Sequence, residues 1–209
     1  MKIISQYAEI LGCDGQPLDG WALLRHIEQC GRVCYKSEDK ITESSAPSFV
    51  QKLISRGHES VLEHASFTVR FVTDRGVTHE IVRHRIASYS QESTRYCNYA
   101  NDQFGGEITV IKPVFVPEES ARYAAWQQTC EAAEQGYMRM IKAGATPQQA
   151  RGVLPTCLKT ELIMTANVRE WRHFLRLRTS AGAHPQMRDL AIQLQRQLRE
   201  VVPVAFDTL

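Results

Sequence analysis

The feature of this sequence that most constrains its fold is a repeated switch between helical spacing and strand alternation. Apolar residues recur at helical spacing from Phe49 to Ile54, after Ser45-Ala46-Pro47, where Ser45 is expected to cap the helix and the proline lies in its first turn. Gly57 is typical of the helix end that follows. Over residues 66–71 apolar and polar side chains then alternate, which predicts a strand with one buried face. A chain with this pattern is expected to pack helices on a sheet.

We predict a single domain over residues 1–209, because no repeat, low-complexity tract or long linker interrupts the chain. Its class is α+β (α/β), with helices packed on a small, mainly antiparallel sheet. Asp74 and Asn167 precede helical patterns and are expected to cap them, and Thr146 begins a capping box. Further helices are predicted over 18–34, 118–143 and 185–202, and further strands over 3–11 and 108–116.

The composition excludes several classes of protein. A charged fraction of 23% beside 43% hydrophobic residues is ordinary for a globular chain and argues against disorder. No apolar run approaches the roughly 20 residues that span a bilayer, and the N-terminus lacks the apolar stretch of a signal peptide. We therefore expect a cytoplasmic protein that does not bind a membrane. A net charge of +2 argues against coating of nucleic acid but leaves room for a local phosphate pocket.

Two metal hypotheses fail on spacing. The six cysteines contain no CxxC pair, so we expect reduced thiols rather than a disulfide framework or a structural zinc site. The segment His79-Glu80-Ile81-Val82-Arg83-His84 is similar to the HExxH motif of zinc hydrolases but is one residue too long. On a helix the extra residue turns the second histidine about 140° away from the first. Two arginines beside His84 would also repel a cation, so we predict no metal site.

Basic and hydroxyl side chains are concentrated in residues 83–95. Arg83, Arg85 and Arg95 offer planar donor forks that suit a phosphate, and the neighbouring serines and Thr94 add hydroxyls. Glu92 is the only carboxylate in this stretch, so the positive charge is not balanced locally. Either an anion site or a solvated charged face would explain the pattern, and the density of hydroxyls favours the anion site.

A second basic cluster lies on a predicted helix that begins after Asn167. Four basic residues share one face of this helix, and three apolar residues lie on the opposite face and are expected in the core. The basic face comprises Arg169, Arg172, His173 and Arg176, and the apolar face comprises Trp171, Phe174 and Leu175. The basic face would suit a polyanion, or its arginines would pair with acidic residues elsewhere in the chain.

The segment of residues 83–96, RHRIASYSQESTRY, closely resembles the signature RHRxxSxxxxSxR of flavin-dependent thymidylate synthases. The six fixed positions are occupied by Arg83, His84, Arg85, Ser88, Ser93 and Arg95. Three other blocks, at residues 58–64, 151–155 and 167–178, are similar to further segments of that family and stand in the same order. The resemblance therefore covers much of the chain, in scattered blocks.

The resemblance implies an activity, a set of cofactors and an assembly. The family makes dTMP from dUMP, with a methylene group from 5,10-methylenetetrahydrofolate and a hydride from FAD that NADPH reduces. It implies a fold peculiar to the family and a homotetramer whose active sites are built from several subunits. No nucleic acid partner is implied.

Site residues follow from the resemblance by matching position. It implies flavin contacts from His58, Ser60, Arg83, His84, Arg85, Gln91, Asn167, Val168, Arg169 and His173. It implies dUMP contacts from Glu80, Ile81, Val82, Arg83, Gln91, Glu92, Ser93, Thr94, Arg95, Arg151 and Arg178. Arg178 is the catalytic candidate, because a fixed cation facing the uracil would favour loss of its N3 proton and raise electron density at C5. Several of these residues differ from those of other members, namely Glu80, Gln91, Thr94 and His173.

Two nucleophile candidates and two rival functions stay open. Cys157, in Leu154-Pro155-Thr156-Cys157, is similar to the cysteine of the folate-only thymidylate synthases, but the rest of that pattern is missing and we interpret it as a buried thiol. Ser93 has no dedicated base, so we assign it to holding the nucleotide. The rivals are a nucleic-acid-binding module and a flavoenzyme of other specificity, such as one that methylates uridylate or RNA uracil.

Overall fold

The structure is a computed structural model that describes residues 1–12 and 16–208 and contains both helices and strands. The strands are β1 (Lys2–Ile4), β2 (Tyr7–Gly12), β3 (Ser66–Asp74), β4 (Ala87–Gln91), β5 (Thr109–Ile111) and β6 (Lys159–Asn167). The helices are α1 (Gly20–Arg32), α2 (Ala46–Ser55), α3 (Arg75–Ile81), α4 (Ala121–Lys142), α5 (Pro147–Ala150), α6 (Val168–Arg178), α7 (Pro185–Val201) and α8 (Pro203–Phe206). The α+β class with a small antiparallel sheet is confirmed.

The strands form two sheets. A four-stranded sheet has the order β2-β3-β6-β4, and β1 pairs separately and in parallel with β5, where Ile4 lies opposite Ile111. The strand predicted over 3–11 is therefore two strands in different sheets. The break between them includes Gln6, whose buried amide oxygen accepts a hydrogen bond from Thr73 Oγ1 at 2.9 Å. The strand predicted over 108–116 is shorter than expected and ends before Pro113, which has no backbone donor for a ladder.

The predicted helix caps are confirmed at three positions and wrong at one. Asp74 Oδ1 accepts from the N–H of Val77 at 2.7 Å, and Asn167 Oδ1 accepts from that of Glu170 at 2.9 Å. The Thr146 capping box is present at the start of α5. Ser45 precedes α2 but does not cap it, because its hydroxyl donates instead to Glu28 Oε2 at 2.8 Å.

Strands β4 and β6 are absent from the sequence-based prediction. In β6 the side chains of Thr160, Leu162, Met164 and Ala166 are buried and alternate with half-buried neighbours, so this segment has the period of two that is typical of a strand. Strand β4 carries only exposed or half-buried side chains. It therefore offers no apolar pattern by which a sequence could reveal it.

The chain divides into two compact units. Unit 1 comprises Met1–Tyr7, Phe71–Arg83 and Ser90–Leu162, and unit 2 comprises Ala8–Arg70, His84–Tyr89 and Ile163–Leu209. A single domain over residues 1–209 stays a prediction, because compactness does not by itself establish independent folding. No helix in the described residues combines the length and the apolar character needed to cross a membrane.

Each unit has its own apolar core. In unit 1, α4 packs Tyr137 against Ile108, Val110 and Leu158, all fully buried. In unit 2, the Trp171 ring stacks on Phe67 with centroids 5.3 Å apart, and its indole N–H donates to the Phe67 carbonyl oxygen at 3.2 Å. The expected apolar face of α6 is confirmed, since Trp171, Phe174 and Leu175 have no exposed surface.

Candidate functional site

The arginine–histidine signature lies in the connection from α3 to β4. The α3 helix ends at Ile81, so His84 stands beyond it and does not share a helix with His79. The helix geometry that a zinc-hydrolase motif needs is therefore missing. Arg83 and Arg85 are exposed, whereas His84 between them is buried.

His84, in unit 2, contacts two charged residues of α6. The distance from its Nδ1 to Glu170 Oε1 is 2.9 Å, and Arg178 donates its Nε–H to Nε2 of His84 at 3.1 Å. Because an arginine only donates, Nε2 supplies the lone pair and the imidazole proton lies on Nδ1, where it is donated to Glu170. The imidazole is thus neutral and has a partner at each nitrogen.

Burial lowers the pKa of His84, and the positive charge of Arg178 lowers this pKa further, while the hydrogen bond to Glu170 acts in the opposite direction. The neutral form is favoured at pH 7 as a result. The Tyr89 hydroxyl donates to the His84 backbone oxygen, and burial raises the pKa of Tyr89 to about 12, so it stays a donor.

The local sequence explains why Glu170 and Arg178 reach one imidazole. They stand two turns apart on the same side of α6, about 12 Å along its axis. Phe174, one turn from each, packs against the His84 ring with centroids 4.9 Å apart. The Asn167 cap fixes the first turn of α6, which carries Glu170.

One trio of described residues, His84, Glu170 and His173, brings its ligand atoms within 4.8 Å of one another. A metal would need a lone pair from His84, but Nδ1 carries the proton and Nε2 accepts from Arg178. The adjacent guanidinium would also repel a cation. This donor set suits a hydrogen-bonded relay better than a metal centre.

A cavity of about 430 Å³ in unit 2 brings together three of the residues expected to bind the flavin, Asn167, Arg169 and His173. The cavity also contains Glu59, Glu63 and the exposed side chain of Ile86. The cations offer donors for phosphate, the carboxylates offer acceptors for ribose hydroxyls, and Ile86 offers an apolar contact for a ring. This mixture fits a dinucleotide such as FAD.

The arginines of α6 pair with acidic residues, which was one of the two alternatives for this face. Arg169 forms an ion pair with Glu63, and Arg176 lies 3.2 Å from Glu59. Arg172 is buried, where it contacts Glu59 at 3.3 Å and donates to the Ala205 carbonyl oxygen. Arg172 therefore stabilises unit 2, and the exposed Arg169 and Arg176 border the cavity.

Other residues expected to bind the flavin lie elsewhere. His58 and Ser60 line a different cavity of unit 2, which is also bordered by α1 and α2. The Val168 side chain is fully buried, and its N–H donates to the Ala65 carbonyl oxygen at 2.9 Å. Its side chain therefore contributes packing.

In unit 1, Gln91 is held by two hydroxyls. Its Nε2 donates to Thr78 Oγ1 at 3.0 Å and to Thr160 Oγ1 at 3.3 Å. These bonds tie the last residue of β4 to α3 and β6 and so fix the start of the loop that contains Ser93 and Arg95.

Contacts of two charged residues, Glu92 and Arg95, hold the loop after β4 in place. Both carboxylate oxygens of Glu92 are engaged, Oε1 by the Tyr99 hydroxyl and Oε2 by Lys159 Nζ, each at 2.9 Å. Arg95 Nε donates to Gln148 Oε1 at 3.0 Å, three residues before the exposed Arg151. Glu92 thus shapes the loop, and Gln148 holds one of the two cations that the resemblance assigns to dUMP.

The remaining residues expected to bind dUMP differ in exposure. The side chains of Ile81 and Thr94 are buried, so they pack within unit 1. Val82 is exposed, and Glu80 and Ser93 are partly exposed. Ser93 Oγ accepts from the N–H of Arg95 at 3.3 Å, which is typical of a hydroxyl that shapes a turn.

Cys157 is partly exposed and lies against the buried Cys130, with the two Sγ atoms 3.4 Å apart. The hydrogen bond from Cys130 lowers the pKa of Cys157, helped by one from Trp126, while burial and the negative charge of Asp74 oppose this shift. This environment differs from the cationic setting that activates a cysteine nucleophile.

Sequence reasoning missed Glu170, Tyr89, Phe174 and Gln148 as parts of the site. Glu170 was visible as the third residue of a capped helix, where an acidic residue is common for helix stability alone. Spacing gave a usable signal for Glu170, Phe174 and Arg178, which recur at intervals of four on one face of α6. No local signal marks Gln148.

Comparisons with known proteins identify the family of this chain. Residues 21–204 match the model of the family described as thymidylate synthase complementing protein. Among curated relatives, the flavin-dependent thymidylate synthase of Geobacter sulfurreducens is 35% identical over 88% of this chain and 84% of its own, and that of Pyrococcus furiosus is 34% identical over 85% and 72%.

A solved structure, a UMP/dUMP methylase PolB from Streptomyces cacaoi bound with 5-Br dUMP, shares the fold with a TM-score of 0.77. It is 23% identical in sequence, and the likeness covers 99% of this chain and 96% of the other. The family match spans most of the chain, and the relatives agree with one another in name. The chain therefore belongs to the flavin-dependent thymidylate synthases, the family of thymidylate synthase complementing proteins.

Proposed function

We propose that this chain catalyses the reductive methylation of dUMP to dTMP. The observation that carries the proposal is the fixed guanidinium of Arg178, which contacts the buried neutral His84 of the signature. A cation that is oriented before the substrate binds stabilises negative charge as it develops, without reorganisation during the reaction.

In this proposal Arg178 faces the uracil ring of dUMP. Its positive charge favours the ring that has lost its N3 proton, and the extra electron density makes C5 the attacking atom. His84 receives the Nε–H of Arg178, and Glu170 receives the Nδ1–H of His84. The two residues position the guanidinium and need not touch the substrate.

The dUMP phosphate is assigned to Arg95 and Arg151 of unit 1. Gln148 fixes the first of these cations, and the hydroxyl of Ser93 orders the turn before it. Arginine forks bind phosphate oxygens in pairs, which fixes the orientation of the nucleotide as well as its affinity.

The cavity of about 430 Å³ that is lined by Asn167, Arg169 and His173 fits FAD, because it offers both hydrogen-bond donors and acceptors. When bound there, a flavin supplies the hydride chemistry that the side chains of this chain lack. In the proposal NADPH reduces it, and 5,10-methylenetetrahydrofolate supplies the carbon. A homotetramer and a cytoplasmic location are also proposed, the second supported by the thiols of the described cysteines.

Two measurements test the proposal. The purified protein should be yellow, with flavin absorbance that denaturation releases. It should also release tritium from [5-³H]dUMP in a reaction that needs both NADPH and the folate. A colourless protein whose affinity for nucleic acid polymers falls steeply with salt would contradict the proposal in favour of a binding module.

The same assay separates a flavoenzyme of other specificity. Parallel reactions with [5-³H]UMP and with uracil-labelled RNA test whether the 2′-hydroxyl is tolerated. Tritium release from UMP or RNA faster than from dUMP would replace the proposed substrate and leave the flavin chemistry intact.

A further inference from the structure

The loop after β4, in unit 1, has side chains on two sides. Arg95 is exposed, whereas Thr94 is buried and only 13% of the Glu92 side chain is exposed. Glu92 lines a cavity of about 340 Å³ together with Tyr99 and Lys159. We propose that the Glu92 carboxylate faces away from the nucleotide, and that Tyr99 and Lys159 are positioning residues, which hold the loop through Glu92 in the conformation that binds dUMP.

Glu92 is anchored at its backbone as well as at its side chain. Its N–H donates to the Glu161 carbonyl oxygen at 2.9 Å, which continues the contact between β4 and β6 beyond the end of β4. Its own carbonyl oxygen accepts from Arg75 at 3.4 Å. Its carboxylate oxygens accept from Tyr99 and Lys159, each at 2.9 Å. Each polar group of Glu92 therefore has a partner within unit 1, and none requires a nucleotide to satisfy it.

Tyr99 connects the carboxylate to the core of unit 1. It is buried, and its ring packs against those of Phe104 and Tyr137, with centroids 5.2 and 5.8 Å apart. Its N–H donates to the Tyr137 hydroxyl at 3.3 Å. Burial raises the pKa of Tyr99, and the negative charge of Glu92 raises it further, so the hydroxyl stays protonated. The phenol is therefore a fixed donor to Glu92, held in place by α4.

Lys159 supplies the charge that compensates Glu92. Its Nζ lies 2.9 Å from Oε2 of Glu92 and 2.8 Å from Oε1 of Glu161, so one cation lies between two carboxylates. Burial lowers the pKa of Lys159, but the hydrogen bonds to Glu161 and Glu92 act against burial and raise this pKa overall. Without the cation the two carboxylates would repel each other, and the repulsion would displace Glu92 and the loop with it.

The experiment measures dUMP binding to the full-length, FAD-loaded protein by titration calorimetry, without turnover. Lys159→Met should raise the Kd for dUMP about tenfold, the value expected if the loop holds its binding conformation about one-tenth of the time. Tyr99→Phe keeps the ring and loses only the hydroxyl, and it should raise the Kd by less. Lys159→Arg keeps the charge and should restore most of the affinity. The control is Lys112→Met, which removes a lysine from an ion pair at the surface of unit 1 and should bind dUMP like the wild type.

A double variant shows whether Lys159 acts through Glu92. Glu92→Gln should itself raise the Kd, because the neutral amide no longer pairs with the cation. Glu92→Gln/Lys159→Met should raise the Kd no more than the larger of the two single changes, since the second substitution removes a partner that the first has already lost. Two effects that multiply instead would show that Lys159 does not act through Glu92.

Steady-state kinetics separate positioning from general damage to the fold. In Lys159→Met the KM for dUMP should rise, while kcat and the amount of bound FAD stay near those of the wild type. A loss of folded structure would lower both of these quantities. A lower kcat with an unchanged KM would contradict the positioning role.

This inference rests on the proposed function, and the two can fail separately. A wild-type protein that does not bind dUMP would overturn both. If the wild type binds dUMP and the Lys159→Met and Tyr99→Phe variants bind it as tightly, the positioning role alone is wrong.

Discussion

Arg178 donates its Nε–H to Nε2 of His84 at 3.1 Å, so a catalytic candidate at the end of α6 is oriented by a histidine of the signature segment. The other nitrogen of His84 is tied to Glu170 at the start of the same helix. One helix therefore carries both the guanidinium and the carboxylate that fixes its partner, and the imidazole between them cannot rotate without breaking one of the two bonds.

Replacing Arg178 with lysine tests the catalytic role. Arg178→Lys keeps the charge but loses the planar fork and the Nε–H that contacts His84. We expect turnover in the tritium-release assay to fall about 100-fold or more, with a smaller change in dUMP binding. The matched control is Arg196→Lys, an exposed arginine of α7 that lines none of the cavities described, and equal losses in both variants would contradict the assignment.

The pH profile tests the role of Glu170. Protonation of Nε2 of His84 would prevent it from accepting the hydrogen bond of Arg178, and activity should then be lost. Because burial lowers the pKa of His84, this loss should occur at a pH below the ordinary titration range of histidine. The hydrogen bond to Glu170 raises this pKa, so Glu170→Gln should move the acidic limb to lower pH as well as reduce turnover.

The direction of this shift distinguishes positioning from general damage to the fold. The control is Glu118→Gln, which removes one charge from an exposed ion pair with Lys112. This control variant should have the same pH dependence of activity as the wild type. An acidic limb that stays fixed in Glu170→Gln, or moves to higher pH, would show that Glu170 does not act through His84.

Gln148 is expected to act through Arg95. Gln148→Ala removes the acceptor that holds Arg95 Nε at 3.0 Å, so the cation becomes mobile. We expect the KM for dUMP to rise about tenfold, near the lower value of one hydrogen bond to a charged group, while kcat changes little. Gln128→Ala on the exposed side of α4 is the control. A lower kcat with unchanged KM would be inconsistent with a role in binding the nucleotide.

Cys157 is expected to be dispensable for the chemistry. Cys157→Ala should keep activity within about twofold and lower the free energy of unfolding by about 1 kcal/mol, because it removes only a partly buried thiol. Cys130→Ala at the fully buried partner should cost more stability for the same loss of volume. Loss of turnover in a folded, FAD-loaded Cys157→Ala protein would identify a nucleophile.

Asn167 is expected to act as a helix cap whether or not it touches the flavin. Asn167→Ala should destabilise the protein by about 1 kcal/mol, and Asn167→Asp should retain most of the stability, because aspartate caps as well as asparagine does. Thermal unfolding of the apo and FAD-loaded proteins separates the two roles. A difference that appears only in the FAD-loaded form would assign Asn167 to the flavin alone.

The sequence predicted the capped helices well, because their signals are local. Asp74, Thr146 and Asn167 each act on a backbone only a few residues away. The strands were harder to predict, because pairing depends on residues far along the chain. Strand β4 has no buried face of its own, and the split between β1 and β2 depends on Gln6 contacting the distant Thr73.

The same distinction applies to the candidate site. The six fixed residues of the signature are visible in the sequence, and so is Arg178. Glu170 shares the spacing of Arg178 on α6, but the sequence does not show that it contacts His84, and no local signal marks the contact of Gln148 with Arg95. Positioning residues act through contacts in the folded chain, so helical spacing places Glu170 on the same face as Arg178 but does not identify the histidine that both contact.

Strand β6 continues into α6 without a loop, since Asn167 ends the strand and caps the helix that starts at Val168. The rotation of α6 about its axis is therefore set by the register of β6. Removing one residue just before Asn167 would turn every side chain of the helix by about 100° relative to the sheet. Glu170, Phe174 and Arg178 would leave His84 together, so the length of this junction is as strictly constrained as any residue type in the signature.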